Sequence, residues 1–343
     1  MIKRTETADA LKGIAILLMI QVHILELFAV PKIVESHLGK LVLFLGGPPV
    51  APLFMVIFGY FSLSNQHSFK QLFVRGLKIF SLGVLLNIGL NFNLILSNYQ
   101  GLININLWTY IFGVDILQLA GISLIIIACI KPILQKNNYA SLLLILTVIL
   151  LTNLTANLKI ENAPLKYISA FIYGNANWSY FPILPWLCYP LFGVWFYQFH
   201  QQFSFIFLKF KKIKYILYIS FTFFLFETYH YTISITSHLI SYYHHHDLFF
   251  LWVVMFLGFY TLLVNDLNML VGHTMAMKFI KWLGQHVTLI YVIQWLIIGN
   301  IATEIYKTES NLFNLGCWFT GITIASCGLT YMMLLIKPFF GRK

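Results

Sequence analysis

Runs of about 20 apolar residues recur along this chain, separated only by short charged or Gly/Pro/Asn-rich breaks. A run of that length crosses a hydrocarbon core of roughly 30 Å as a helix. Helix is what the environment leaves open, because inside a bilayer each backbone N–H and C=O must be satisfied within the segment or by a closed barrel. Counting runs between breaks predicts ten spans, at 12–30, 41–64, 72–97, 106–130, 139–158, 179–199, 213–233, 247–265, 279–299 and 311–336. With 59% hydrophobic and only 10% charged residues, against about 25% charged in soluble chains, a soluble globular fold is excluded. The expectation is an all-α polytopic membrane protein in which residues 1–343 form a single transmembrane domain.

No small-x-small cleavage site follows the first run, and Pro31 and Lys32 follow it at full length, so that span is expected to be retained. Cys129, Cys188, Cys317 and Cys327 lie in apolar runs without paired spacing. They suggest neither a disulfide framework nor a zinc site and read as packing residues.

The net charge of +11 raises the question of nucleic acid, but the basic residues sit at span ends rather than on a separate polar domain. With a cytoplasmic N-terminus, 17 of the 22 lysines and arginines fall on inner segments; the outer five are Lys32, Lys40, Lys159, Lys166 and Lys307. That asymmetry predicts cytoplasmic N- and C-termini. Two spans are interrupted, by "GGPPVAP" (46–52) and by "FPILPWLCYP" (181–190). Prolines remove backbone donors, and broken backbone at membrane depth either lines a cavity or is buried in protein. No internal repeat of the transporter kind is apparent.

Ionisable residues inside spans are costly and mark candidate sites. Lys12 and His23 are eleven residues apart in the first span, three turns plus about 20°, so they share a face about 16 Å apart along the axis. Glu26 follows one turn on. His23 is either a neutral imidazole bonded to another helix or a general base or acyl carrier, with Glu26 as its orienting carboxylate. Lys12 is an interfacial anchor or part of a donor site. Arg75 and Lys78, one turn apart, are either topology-setting charges or a clamp for the phosphates of a carrier such as coenzyme A. Asp115 and Gln118 form a second intramembrane polar pair, and Glu227 and His230 a third. The "HHHD" run at 244–247 resembles a metal motif, but adjacent side chains diverge, so an exposed outer loop is expected there and no metal. Trp108, Trp178 and Tyr180 suit either sugar stacking or an interfacial aromatic belt.

The opening segment "RTETADALKGIAILLMIQVH" resembles the first helix of the transmembrane acyltransferases, with Arg4, Asp9, Gly13 and His23 matching and Lys12 where arginine is usual. Within that superfamily, four further segments resemble the heparan-alpha-glucosaminide N-acetyltransferase catalytic-domain-like family of bacterial membrane proteins. They are "APLFMVIFGYFSLS" (51–64), "DILQLAGISLI" (115–125), "YFPILPWLCYPLFGVW" (180–195) and "LGQHVTLIYVIQ" (283–294). The resemblance implies a plasma-membrane enzyme moving an acyl group, typically acetyl, from cytoplasmic acetyl-CoA as co-substrate to a hydroxyl or amine of an extracytoplasmic glycan. Its partners would be acyl-CoA, the glycan and the lipid bilayer, with no nucleic acid and with room for a homo-oligomer. The candidate catalytic set is then His23, Glu26 and Asp115, and the donor-binding set Lys12, Arg75, Lys78 and Gln118. The chain departs from the superfamily pattern in reading Arg75-x-x-Lys78 for Arg-x-x-Arg, and in carrying Val287 and Gln294 where serine and a late histidine are common. The alternative reading is a transporter or flippase for a lipid-linked sugar or small amphiphile, and a third is a non-catalytic scaffold.

Overall fold

A computed structural model describes residues 5–64, 67–158, 160, 162–174, 176–203 and 210–340. Arg4 and the charges at 3, 159, 209, 342 and 343 lie outside the described residues. Among the described residues the regular elements are helices, with two isolated bridges, Ala29 to Glu309 and Val114 to Ser179. In chain order they are α1 (Glu6–Phe28), α2 (Pro31–Val34), α3 (His37–Gly46), α4 (Ala51–Ser64), α5 (Phe69–Leu90), α6 (Phe92–Tyr99), α7 (Leu107–Ile111), α8 (Ile116–Lys136) and α9 (Ala140–Thr155). They continue as α10 (Ala163–Ile172), α11 (Ile183–Trp186), α12 (Cys188–Gln202), α13 (Lys211–Thr236), α14 (Leu239–Tyr243), α15 (Asp247–Val271), α16 (Met275–Gln285), α17 (Val287–Ile305) and α18 (Leu312–Phe340).

Among the described residues, seven segments are long and apolar enough to cross a membrane: α1, the α3–α4 pair (His37–Leu63), α5, α8, α15, α17 and α18. The remaining predicted spans take other forms. The run at 139–158 becomes α9, only 16 residues long. The run at 179–199 is divided at Leu184, whose backbone is non-helical, into α11 and the 15-residue α12. The run at 213–233 becomes the 26-residue α13, which has the length but carries Glu227, His230 and several tyrosines. The spans expected at 72–97 and 106–130 end and begin elsewhere, because the chain breaks at Asn91 and again at Gly113–Asp115.

The described residues form two compact units: those within 51–85 and 112–262 make up the first, and those within 5–50, 86–111 and 263–340 the second. In the first, α4 and α12 cross at paired glycines. A Cβ on Gly59 would overlap the carbonyl oxygen of Pro190, and one on Gly193 that of Val56. Gly76 of α5 and Gly121 of α8 meet in the same way, so these helices pack backbone to backbone, as small residues allow in lipid. Leu63, Ile127, Leu134, Ala140 and Val194 close a core among α4, α8, α9 and α12.

In the second unit α1 is central, packed by α3, α16, α17 and α18. Ala10, Ala15, Ile16 and Ile20 of α1 are completely buried. After α1, the α17–α18 loop completes the helix end. The N–H groups of Lys307 and Glu309 donate to the carbonyls of Leu27 and Phe28, each at 2.8 Å, and Val30 N–H donates to Glu309 at 2.9 Å. Orphan carbonyls at a helix end need such partners, above all in an apolar medium. The "GGPPV" break between α3 and α4 is buried in protein from Gly47 to Val50, the setting in which irregular backbone is tolerated at membrane depth.

Candidate functional site

The site is built on α1. At its N-terminal end Lys12 Nζ lies 2.9 Å from Asp9 Oδ1, and the Asp9 side chain is 4% exposed. Gln285 Nε2 donates to Asp9 Oδ2 at 3.4 Å, and Lys281 of α16 pairs with Glu6 at 2.8 Å. Gly13 and Gly284 bring α1 and α16 into backbone contact at this level. The Asp-x-x-Lys-Gly motif thus has a physical content: the carboxylate holds the lysine, and the glycine admits the neighbouring helix.

About three turns along the same helix, the His23 ring meets Trp295 of α17 edge-on, with centroids 4.1 Å apart and planes at 65°. His23 Nδ1 is buried and has no hydrogen-bond partner among the described residues. Trp295 Nε1 is equally enclosed and unpartnered, and the preceding Gln294 is fully buried with both amide atoms unpartnered. Such groups cost about 1–3 kcal/mol each when left unsatisfied. Glu26 is half-buried, and no hydrogen bond or ion pair joins it to His23. Sequence reasoning passed over Trp295; the available signal was an amide beside an indole in the middle of "YVIQWLIIG".

Arg75, Lys78, Asp115 and Gln118 belong to the first unit. Arg75 and Lys78 are exposed on one face of α5, while Leu72 and Gly76 on the other face are buried. Gln118 of α8 is 1% exposed with neither amide atom bonded, and it lies against Gly83, where a Cβ would come within 2.8 Å of its side-chain Cδ. Asp115, expected inside a span with Gln118, is instead the N-cap of α8, accepting from the Ile116 N–H at 2.7 Å. Gly113 and Val114 interrupt the helix there, and Val114 is tied to Trp178, Tyr180 and Phe181 by backbone hydrogen bonds.

Glu227 and His230 are exposed on α13. Trp108 and Tyr180 are exposed, and Lys166 Nζ lies 5.3 Å over the Trp178 ring. Of the cysteines only Cys188 is buried; Cys129 and Cys317 are exposed, so the packing expectation fails for those two.

The "HHHD" run is the expected exposed loop only in part: His246 and Asp247 are exposed and His244 is half-buried, but His245 is enclosed. His245 is 1% exposed while His246 points outward. His245 Nδ1 lies 2.8 Å from the Tyr242 carbonyl, which can only accept, so Nδ1 carries the proton and Nε2 accepts from Tyr189 O–H at 2.9 Å. Burial, with the neighbouring histidines adding to it against the Tyr242 bond, pushes His245 down to about 4. Trp186 Nε1 donates to Tyr243 O at 2.7 Å. Trp186 and Tyr189 of the Pro-Trp-x-x-Tyr segment therefore clamp the turn between α14 and α15. No group of three or more His, Cys, Asp or Glu residues able to hold a metal occurs among the described residues.

These features define a multi-pass helical membrane protein whose first helix presents an unsatisfied imidazole in its interior. The family model for heparan-alpha-glucosaminide N-acetyltransferase, catalytic, matches residues 4–225, and the chain belongs to this family of membrane acetyltransferases. No curated protein matches the chain, and no solved structure does.

Proposed function

We propose that the protein transfers an acetyl group from cytoplasmic acyl-CoA to a hydroxyl or amine of an extracytoplasmic glycan at the plasma membrane. The observation that carries this reading is His23, a titratable ring held in the interior of α1 with its Nδ1 enclosed and unbonded. A half-buried imidazole whose Nδ1 is enclosed and unbonded is suited to take up and return a proton.

In this reading His23 removes the acceptor's proton as the acceptor oxygen or nitrogen attacks the thioester carbon. The tetrahedral intermediate then expels the coenzyme thiolate, which recovers the proton from His23. Glu26, Asp115 and Gln118 are proposed to act as supporting polar groups of the reaction. Lys12, Arg75 and Lys78 are proposed as the cations for the donor's phosphates; the exposure of Arg75 and Lys78 leaves both free to meet a soluble donor. The whole chain is proposed to work as one domain of ten spans with both termini cytoplasmic, α9, α12 and α13 completing the seven long apolar segments. The 17-to-5 partition of basic residues supports that orientation.

Membranes containing the protein should move labelled acetyl from acetyl-CoA to cell-envelope glycan, and His23→Ala should abolish the transfer. Unchanged transfer by that variant removes His23 from the mechanism. Sugar movement across vesicles without acetylated product would favour a transporter instead.

A further inference from the structure

Trp295 sits in the middle of α17, a 19-residue membrane helix. Indoles in membrane proteins usually gather at the interface, where the ring is apolar and the N–H is hydrated. Here the Nε1–H is enclosed, has no partner among the described residues, and belongs to a ring in edge contact with His23 at 4.1 Å. The two unsatisfied groups are chemically complementary. The indole can only donate, and a neutral imidazole nitrogen accepts from a hydroxyl or amine.

One chemical arrangement satisfies both at once: a carbonyl oxygen facing the indole N–H and an attacking O–H or N–H facing the imidazole. That is the reacting centre of an acyl transfer. Gln294, fully buried one residue before with an unbonded amide, is a further sign that the middle of α17 is set against a polar ligand rather than lipid.

We propose that Trp295 is a catalytic residue whose Nε1–H donates to the thioester carbonyl oxygen as that oxygen becomes an oxyanion, beside His23 acting as base; the inference rests on the acyltransferase reading above. The bookkeeping closes within the site. The acceptor forms a bond to the carbonyl carbon, the carbonyl π electrons move onto the oxygen held by Trp295, and the acceptor's proton goes to His23. On collapse the C–S bond breaks and the proton leaves with the coenzyme sulfur.

The test is steady-state acetyl transfer by the full-length protein in detergent or nanodiscs, with acetyl-CoA as donor. Trp295→Phe keeps an aromatic edge against His23 but removes the N–H, and should lower kcat by roughly 100- to 1000-fold with the KM for acetyl-CoA unchanged. Trp295→His, which restores a ring N–H, should recover a fraction of that loss. Retention of kcat within about threefold by Trp295→Phe, or a Trp295→His no better than Trp295→Phe, overturns the proposal. A thermal unfolding midpoint equal to that of the unsubstituted protein separates loss of the donor from loss of packing. If Trp295→Phe lowers that midpoint together with kcat, the indole serves packing and the proposal falls. If the unsubstituted protein transfers no acetyl group, the acyltransferase reading itself fails; if it does and Trp295→Phe is fully active, only the role of Trp295 fails.

Discussion

Gly13 and Gly284 occupy each other's space across the α1–α16 crossing: a Cβ on Gly13 would overlap the Ile280 carbonyl oxygen, and one on Gly284 the carbonyl oxygen of Asp9. Gly13→Ala must therefore push the two helix backbones away from each other, and should destabilise the protein by about 1–3 kcal/mol. Thermal unfolding in detergent would show it. Gly316→Ala is the contrasting case, since nothing lies within 4 Å of its Cβ position. It should leave the midpoint unchanged or raise it slightly, as an added methyl in an exposed helix favours the helical state.

The Asp9–Lys12 pair separates a structural role from a donor-binding one. Lys12→Met alone leaves a nearly buried carboxylate without its cation and should cost about 3 kcal/mol. Combining it with Asp9→Asn should return most of that stability in a double-mutant cycle. If the double variant is stable but its KM for acetyl-CoA is raised, Lys12 meets the donor as well as Asp9; an unchanged KM limits it to the pair.

Tyr189→Phe removes the hydroxyl that donates to His245 Nε2, leaving a buried acceptor unmet, and should cost about 1–3 kcal/mol. The same histidine makes stability pH-dependent. Its folded value of about 4 lies below the ordinary 6.5, so its contribution is fully present above about pH 6.5 and is lost as pH falls towards 4. Below 6.5 the unfolded chain takes up a proton that the folded protein refuses. The loss across that window is about 3 kcal/mol, and His245→Gln should flatten the dependence of the unfolding midpoint on pH between 7 and 4.5.

Arg75 and Lys78 are exposed, so alanine at either position should move stability by less than about 0.5 kcal/mol. If they contact the donor's phosphates, each should raise the KM for acetyl-CoA about tenfold, the equivalent of one charge-assisted hydrogen bond. Unchanged kinetics at both positions would assign these charges to topology alone.

The opening span, the long apolar segments, the two broken ones and the candidate residues of α1 were determined by the sequence itself. A bilayer imposes one local solution on an apolar run, so run length and charge position are read directly from the residues. Even the Lys12 and His23 face follows from helix geometry. Where a run held a hidden break, local reading failed. Asp115 reads as intramembrane, yet the interruption at Gly113 and Val114 turns it into a cap. The "HHHD" run reads as exposed throughout, yet Tyr189 and Trp186 enclose its His245.

Tertiary structure alone decided which residues meet across helices. His23 meets Trp295, Gly13 meets Ile280, and Asn93 meets Asn300, whose Oδ1 accepts from the Asn93 N–H at 3.0 Å. Each of these pairs joins segments far apart in the chain. In lipid such contacts rest on close packing and on hydrogen bonds between helices rather than on a hydrophobic force that composition records. The spacing of residues along one helix carries no trace of which other helix stands beside it.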